Sequence, residues 1–473
     1  MKKKLAFVLA VAMCCSFLFG CGSKQDPAGS GSGGGTTTGI VPGSNKSASG
    51  STNKDVYIDM WGVWSQDNYR AEYWQQKAAD FCEQYEKDNG ISVQFEYYGQ
   101  GSYAALTEKL AGGAVTKELP VISQIEEQAT ARFYPLAADL SKYLKQETID
   151  DYLPGLLVSC TQQGKLVAVP AGRSYIVACV NKALLEQAGH SVDELTDWTW
   201  EDMHQIAKDI SALGDGIYGH TLYWDEDAWP WESAVYSNGG SIDNEDGTKI
   251  VFDEASGTPI LDLTVEMLKD GSSSSFYNDY DYTKVSDAFY QPWAEGKLGM
   301  YIGSITMYKS GLKFRDNYDG EKGDFDVVVA KQPAGTAGFS VVTGGSNMMI
   351  MDNATETQKQ VAAAFFEYLA KPENVAGWNE TSGYMAFTKS VENDPSFKAT
   401  TDADPNLLNI YHYVEDAHAR PTTPHWQDMV ANVIIQDLVD LSQHPEKYAT
   451  HAETTALVNS WVEKCQKIID EGN

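Results

Sequence analysis

The chain is poor in basic residues and in cysteine. Among its 473 residues, 35 lysines and arginines face 66 aspartates and glutamates, which gives a formal net charge of −31 at pH 7. This balance argues against nucleic-acid binding and against adsorption to anionic lipid, and it favours neutral ligands. The cysteines beyond the first 21 residues form no CxxC pair and predict no disulfide framework, so we interpret them as buried small apolar residues: Cys82, Cys160, Cys179 and Cys465.

Catalytic motifs are also scarce. The sequence has no HExxH, GxSxG or GxxxxGK[ST] motif, and the glycine tract near residue 33 is low-complexity sequence that follows no strand. His412 and His418 match no standard metal-site spacing. Carboxylates are so frequent that no pair of them identifies a glycosidase. We therefore expect a protein that is not an enzyme and that has no cofactor or metal site.

A long apolar run occurs near the N-terminus. Three lysines precede the apolar run LAFVLAVAMCCSFLF, which is shorter than a membrane-spanning helix requires. Gly20 stands directly before Cys21. This pattern resembles a bacterial lipoprotein signal. The resemblance implies removal of residues 1–20, acylation of Cys21 by diacylglycerol and palmitate, and anchoring on the outer face of the cell membrane, which is periplasmic in a bacterium with two membranes. Residues 21–53 are rich in Gly, Ser and Thr and predict a flexible linker.

The remaining residues, about 420 from residue 54 onward, predict a globular body large enough for two domains. Residues 56–61 predict a buried strand, and residues 91–98 alternate apolar and polar side chains as a second strand does. The helix between them ends at Asn89 and Gly90. Its apolar face consists of Trp74, Ala78, Phe81 and Tyr85. A strand–helix–strand unit is typical of a parallel sheet with helices on its faces, which is the α/β class.

Two later segments predict helix boundaries. Thr199 stands at an N-cap position with Asp202 three residues on, and the apolar stripe that follows consists of Trp200, Met203, Ile206, Ala207 and Ile210. A helix over 357–371 is stopped by Pro372.

Aromatic residues are plentiful, and the stretch YWDEDAWPWE at 223–232 holds three tryptophans and four carboxylates. Pro230 would interrupt a helix there. One interpretation is a surface loop whose rings turn back into the core. The other is an apolar platform bordered by hydrogen-bond acceptors, which suits a sugar ring. Trp61 and Trp64 lie at the C-terminal end of the first strand, where ligands of open α/β sheets collect.

Three segments resemble the extracellular solute-binding proteins of ABC sugar importers, the group that includes maltose-binding protein. The segments are GKLVAVPAGRSYIVACVNKALLEQAG followed by WTWEDMHQIAKDI, then AEGKLGMYIGS, and finally AAAFFEYLAKPENVAGWNETSGYMAFTKS. Their order and spacing together are more specific than any one of them.

The resemblance implies an α/β, two-lobed periplasmic-binding-protein-like fold of type II, with discontinuous lobes around a hinge and a ligand cleft. Lobe 1 is expected to comprise 54–171 and 340–385, and lobe 2 to comprise 172–339 and 386–473. Closure around a ligand would be a hinge motion.

The implied function is that of a monomer which captures a carbohydrate and delivers it to the permease subunits of an ABC transporter. We expect the carbohydrate to be an oligosaccharide. A first alternative is a glycerol-phosphate-type binder of the same family, in which Arg173 and Arg420 would converge on a phosphate. A second is a lipid-anchored glycoside hydrolase.

The same resemblance implies the ligand contacts, with the segment 223–232 as one lip of the cleft. For Arg173, a structural salt bridge is an equally good interpretation. The expected contacts are Trp61, Glu126, Arg173, Tyr175, Trp224, Asp225, Trp229, Ser304, Gly345, Tyr384, Arg420 and Trp426.

Overall fold

The predicted strand–helix–strand unit opens the folded body. The computed structural model describes residues 54–222, 228–275, 289–421 and 423–472. Within it, the strands over 56–62 and 93–99 pair in parallel. The helix between them starts after Asn68, whose side chain accepts from the Arg70 amide, and ends at Gly90. The predicted helix end and its buried residues Trp74, Ala78 and Phe81 are confirmed.

The strands are β1 (Val56–Gly62), β2 (Val93–Gly99), β3 (Ile122–Glu126), β4 (Thr161–Gln162), β5 (Lys165–Leu166), β6 (Val169–Asn181), β7 (Tyr218–Leu222), β8 (Ser273–Ser275), β9 (Leu298–Ser304), β10 (Val327–Ala330), β11 (Val341–Ile350) and β12 (Ala417–His418).

The helices are α1 (Tyr69–Asn89), α2 (Tyr103–Thr116), α3 (Thr130–Phe133), α4 (Gln146–Asp151), α5 (Pro154–Leu157), α6 (Lys182–Gln187), α7 (Trp200–Ser211), α8 (Trp229–Ser237), α9 (Glu254–Gly257), α10 (Pro259–Asp270), α11 (Gln291–Ala294), α12 (Ile305–Asn317), α13 (Glu356–Leu369), α14 (Pro372–Ser382), α15 (Pro395–Ala403), α16 (Pro405–His412), α17 (Trp426–Met429), α18 (Ile435–Gln443) and α19 (His451–Gly472).

Strand order in the main sheet is β2-β1-β3-β11-β6-β9-β7-β8, with β10 added on β6 and β12 on β11. β1 pairs in parallel with β2 and β3, and β7 pairs in parallel with β8 and β9. β11 runs antiparallel between β3 and β6. We call β1, β2, β3 and β11 the first strand group, and β7, β8, β9 and β10 the second strand group.

The long strand β6 connects the two groups. Its residues from 169 to 175 pair with β11, whereas its residues from 176 to 181 pair with β9 and β10. All thirteen of its residues are buried. β11, α13 and α14 come late in the sequence, yet β11 pairs with β3 in the first strand group. The first group is therefore built from discontinuous chain, and the lobe boundaries given above stay predictions.

The other helix predictions can be compared with the structure directly. Thr199 caps α7 in a capping box with Asp202, and the predicted stripe on α7 is buried, as expected. α13 ends at Leu369, before Pro372. Pro372 then lies in the first turn of α14, where its missing N–H is not needed.

The four cysteines Cys82, Cys160, Cys179 and Cys465 are free thiols, and all but Cys82 are buried. Within the described residues, no helix combines the length and apolar character needed to cross a bilayer.

Burial of His220 on β7 predicts sensitivity to acid. Its side chain is 6% exposed, its Nδ1 lies 3.0 Å from Ser273 Oγ, and burial lowers its pKa to about 3 from the ordinary 6.5. Between these values the unfolded chain binds a proton that the folded chain does not. This contribution to stability is therefore present above pH 6.5 and is lost as the pH falls.

We expect this group alone to lower the free energy of unfolding by roughly 2–3 kcal/mol between pH 7 and pH 4.5. Urea titrations of the wild type and of His220→Asn at both pH values measure the effect. The variant should lose less stability than the wild type over this interval, and equal losses would show that His220 does not titrate as its burial requires.

Candidate functional site

Side chains from both strand groups meet where β6 crosses between them. β3 ends at Glu126 and β9 ends at Ser304, while Trp64 follows the end of β1. Ser304 Oγ lies 2.8 Å from Ser174 Oγ of β6. Such strand ends are where open α/β sheets bind ligands. We call the set that converges here the central cluster: Trp64, Tyr103, Glu126, Ser174, Ser304, Ser346 and Tyr384.

Gly172 on β6 lies at the middle of the central cluster. A Cβ atom built on Gly172 would stand 3.0 Å from Ser346 Oγ and 3.4 Å from both the Trp64 and the Tyr384 rings. Ser346 Oγ also accepts from Gln124 Nε2 at 2.6 Å. The absence of a side chain at Gly172 therefore lets these three side chains pack closely over β6.

Aromatic stacking holds Tyr384 in place. α14 ends at Gly383, whose φ of +76° suits glycine, and Tyr384 follows immediately. The Tyr384 ring is nearly parallel to that of Trp378, with a centroid distance of 5.9 Å and an interplanar angle of 7°. Trp64 lies 5.9 Å from Tyr384, and the Arg70 guanidinium lies 5.1 Å from it. Tyr384 is 8% exposed and thus lies next to the half-buried Trp64 with most of its ring covered by protein.

Tyr103 supplies a polar group that lacks a partner in the described part of the chain. Its hydroxyl is buried beside the Ser346 and Tyr384 hydroxyls, but it makes no hydrogen bond of normal length and angle with the described residues. Burial raises the pKa of Tyr103 well above its ordinary value. Glu126 accepts from Gln427 Nε2 at 2.5 Å. A buried hydroxyl without a partner is costly, so a ligand that hydrogen-bonds to Tyr103 would remove that cost.

Arg173 lies in a buried network instead of an open surface. Its Nη2 is 2.5 Å from Glu127 Oε1, and neither side chain exceeds 1% exposure. Nη2 also donates to Thr343 Oγ1 at 2.8 Å, and Nη1 donates to Asn347 Oδ1 at 2.9 Å. These contacts join β6, β11 and the turn after β3. A ligand could reach Arg173 only if these partners moved.

Arg420 and Trp426 share one carboxylate. Arg420 Nη2 donates to Glu232 Oε1 at 2.7 Å, and Trp426 Nε1 donates to the same oxygen at 3.0 Å. Arg420 also donates to Gln128 Oε1 at 2.9 Å, which connects this pair to the end of β3. Its guanidinium lies 5.5 Å from the Trp229 ring centroid. Trp426 is fully buried, and Arg420 is 4% exposed.

The described part of the aromatic stretch at 223–232 lies in α8 and is buried. Trp224 and Asp225 lie outside the described residues. Trp229 begins α8, and Pro230 lies in its first turn, so the expected interruption by Pro230 is wrong because a helix tolerates proline there. Trp231 is fully buried and donates to the Gly257 carbonyl at 3.1 Å. The Trp229 ring is 4% exposed and lies so close to β11 that a Cβ on Gly344 would overlap it.

Three other predicted contacts are packed by protein. The Tyr175 hydroxyl donates to the Ile410 carbonyl, and Tyr175 has no exposed surface. Gly345 has a φ of +86° at a bulge in β11, and a Cβ there would overlap the Gly172 carbonyl. Trp61 is 3% exposed, with Lys109 Nζ of α2 4.4 Å from its ring centroid. A ligand could reach Trp61 only if α2 moved.

Four members of the central cluster were not on the predicted list: Trp64, Tyr103, Ser174 and Ser346. For Trp64 the sequence carried a usable signal, because a residue beyond a strand's carboxyl end points toward the ligand edge whereas Trp61 belongs to the strand itself. Tyr103 follows the N-cap Ser102 of α2, and only the tertiary structure brings it beside Ser346. No group of three or more His, Cys, Asp or Glu in the described ranges could hold a metal ion.

The chain matches the family model of bacterial extracellular solute-binding proteins over residues 80–406 and belongs to that family. The resemblance inferred from the sequence is therefore confirmed. The chain is 25% identical over 295 residues to the sn-glycerol-3-phosphate-binding periplasmic protein UgpB of Shigella dysenteriae, a match that covers 58% of this chain and 63% of that protein. The chain thus spans less than two thirds of the length of the curated relatives it matches.

Solved structures share its fold. The sugar-binding protein MalE from Xanthomonas citri superposes with a TM-score of 0.70 at 20% identity, covering 88% of this chain and 98% of that one. UgpB from Mycobacterium tuberculosis in complex with glycerophosphocholine gives a TM-score of 0.67 at 17% identity, covering 88% and 98%. The α/β, two-lobed periplasmic-binding-protein-like fold is confirmed.

Proposed function

We propose that the chain is the extracellular solute-binding component of an ABC importer. It captures a carbohydrate, specifically an oligosaccharide, for delivery to the permease subunits. The observation that carries this proposal is the central cluster. Tyr384 and Trp64 offer ring surfaces that match the apolar face of a sugar. Tyr103, Ser174, Ser304 and Glu126 add hydroxyl and carboxylate groups for sugar hydroxyls. The protein acts as a monomer and leaves its ligand chemically unchanged.

The pairing of two arginines favours a neutral ligand over a phosphate. Arg173 is paired with Glu127 and Arg420 with Glu232, both in buried positions. A phosphate held by both arginines would have to compete with these carboxylates, which already balance the two charges. The formal charge of −31 also opposes attraction of an anion over distance.

The glycerol-phosphate-type binder stays a second candidate because one observation favours it. The curated relative at 25% identity is an sn-glycerol-3-phosphate-binding protein, and a structural neighbour was solved with glycerophosphocholine. Such a ligand would use the same central cluster, and its phosphate would need Arg173 and Arg420 to leave their present partners Glu127 and Glu232.

A binding screen separates the candidates. The purified chain is titrated with neutral oligosaccharides, sn-glycerol 3-phosphate and glycerophosphocholine, with calorimetry and intrinsic tryptophan fluorescence as readouts. We expect saturable one-to-one binding of at least one neutral oligosaccharide and none of the phosphate compounds. Binding of the phosphate compounds alone would instead support the second candidate. Release of new reducing ends during prolonged incubation would overturn both and support a hydrolase.

Anchoring by Cys21 gives a further prediction. We expect Cys21→Ser to yield a protein that binds the same ligand with the same affinity but no longer sediments with membranes, because the lipoprotein-like signal ends at Cys21 and the linker 21–53 separates it from the folded body. Fractionation of cells expressing each form measures this. Undiminished membrane association of Cys21→Ser would contradict the anchor.

A further inference from the structure

The C-terminal carbonyls of α14 are held by two cations from two different helices. Lys309 Nζ of α12 donates to the Asn379 carbonyl at 3.1 Å and to the Glu380 carbonyl at 3.3 Å. Arg70 of α1 donates from Nε and Nη2 to the Ser382 carbonyl at 3.1 and 3.0 Å. A helix C-terminus carries partial negative charge on carbonyls that have no partner within the helix, so both cations are well placed.

The two cations come from different parts of the fold. α1 packs on α14 within the part of the fold that holds the first strand group, where the Tyr73 hydroxyl donates to the Asn374 carbonyl at 2.6 Å. α12 directly follows β9 of the second strand group and is held to it by Tyr301, whose hydroxyl donates to the Met307 carbonyl at 3.1 Å. The Lys309 contact therefore links the two sides, whereas the Arg70 contact does not.

The two helices that Lys309 connects both lie next to members of the central cluster. α12 begins after Ser304, and α14 is followed by Gly383 and Tyr384. A Cβ on Gly383 would stand 3.7 Å from the Cα of Thr306, so the start of α12 and the turn before Tyr384 are closely packed. Separation of α12 from α14 would therefore loosen the packing between the residues that follow Ser304 and the turn that precedes Tyr384.

We propose that Lys309 is a positioning residue that raises ligand affinity without touching the ligand. Its hydrogen bonds hold α12 against the end of α14. This contact favours the arrangement in which Ser304 and Tyr384 face one ligand. This inference rests on the proposed function. A contact that holds α12 and α14 together stabilises the arrangement that binds the ligand, and the apparent affinity rises with the population of that arrangement.

The hydrogen bonds of Lys309 to the end of α14 can break and form again reversibly. Lys309 makes no ion pair with a carboxylate among the described residues, and its partners are neutral carbonyls. Its burial lowers its pKa from the ordinary value. When the two sides separate, the ammonium returns to water and leaves no buried charge behind, so opening is not blocked.

The test compares Lys309→Met with Lys313→Met, one turn further along the same helix. Lys313 is exposed and makes no hydrogen bond to α14, and its ammonium lies 6.0 Å from the ring centroid of Tyr69 on α1, a long contact in water that contributes little. Lys309→Met keeps the length of the side chain and removes the ammonium. We expect it to weaken binding of the best ligand from the screen about three- to tenfold through faster dissociation, while Lys313→Met binds as the wild type does. Lys309→Arg should restore most of the affinity.

Two further readouts separate this role from a structural one and from the proposed function. In the absence of ligand, Lys309→Met should have a larger radius of gyration by small-angle scattering than Lys313→Met. Equal radii, equal affinities, or a loss of affinity matched by Lys313→Met would overturn the proposal. A lower melting temperature of Lys309→Met with unchanged affinity would mean that Lys309 only caps α14, which also overturns it. A wild type that binds nothing in the screen rejects the proposed function, and the ligand-free radii still decide the role of Lys309.

Discussion

Replacing Trp64 with alanine should weaken carbohydrate binding by roughly thirtyfold or more. Truncating a large rigid contact at the centre of a binding site costs on the order of 2 kcal/mol or more, and each 1.4 kcal/mol is a factor of ten. Trp64 is half-buried, and its ring lies 5.9 Å from that of Tyr384, so it can lose a ligand contact without leaving a deep cavity. Calorimetric titration with the tightest carbohydrate of the screen measures the loss.

Trp61, three residues earlier, is the matched control for Trp64. Its ring is 3% exposed and packs against α2. Trp61→Ala should therefore lower the free energy of unfolding by about 3–5 kcal/mol, as other buried tryptophan truncations do. The folded fraction should bind within about twofold of the wild type. The reverse pattern, with Trp64→Ala binding normally and Trp61→Ala losing affinity at unchanged stability, would return the ligand contact to Trp61.

Replacing Arg173 with methionine should lower the free energy of unfolding by about 3–5 kcal/mol, because it leaves the Glu127 carboxylate buried without its cation. Glu127 is 1% exposed and depends on Arg173 and Thr343 for its contacts. Urea titration of Arg173→Met measures the loss of stability.

The double variant Arg173→Met, Glu127→Gln tests the reason for that loss. Removing both charges should restore more than half of the stability, since neither group then stays charged and unpaired. If the double variant is no more stable than Arg173→Met, charge burial is not the cause. A double variant that is stable but binds no ligand would instead support a direct ligand role for Arg173.

Local features of the fold were predictable from the sequence because they depend on neighbouring residues. The capping box of Thr199 and Asp202 needs only residues three apart, and the buried stripe of α7 follows from its period. The course of β6 between the two strand groups has no such local signal. The resemblance to a family supplied the two-lobed fold, and the solved structures that share it confirmed that prediction.

The candidate site was less predictable because partners distant in sequence decide it. A sequence alone does not show that Arg173 meets Glu127, or that Trp426 and Arg420 share Glu232. The acidic and aromatic stretch at 223–232 favoured a platform of tryptophans, yet Trp231 packs in the core against the Gly257 carbonyl. The platform role of Trp229 and Trp224 stays a prediction.

Small-angle X-ray scattering with and without a saturating carbohydrate shows whether a sugar is captured between the two sides of the fold. Calorimetry on the same sample establishes saturation. We expect a smaller radius of gyration in the bound protein, because a ligand that touches Tyr384 on one side and Ser304 on the other draws the two sides together. An unchanged scattering profile at proven saturation would contradict it.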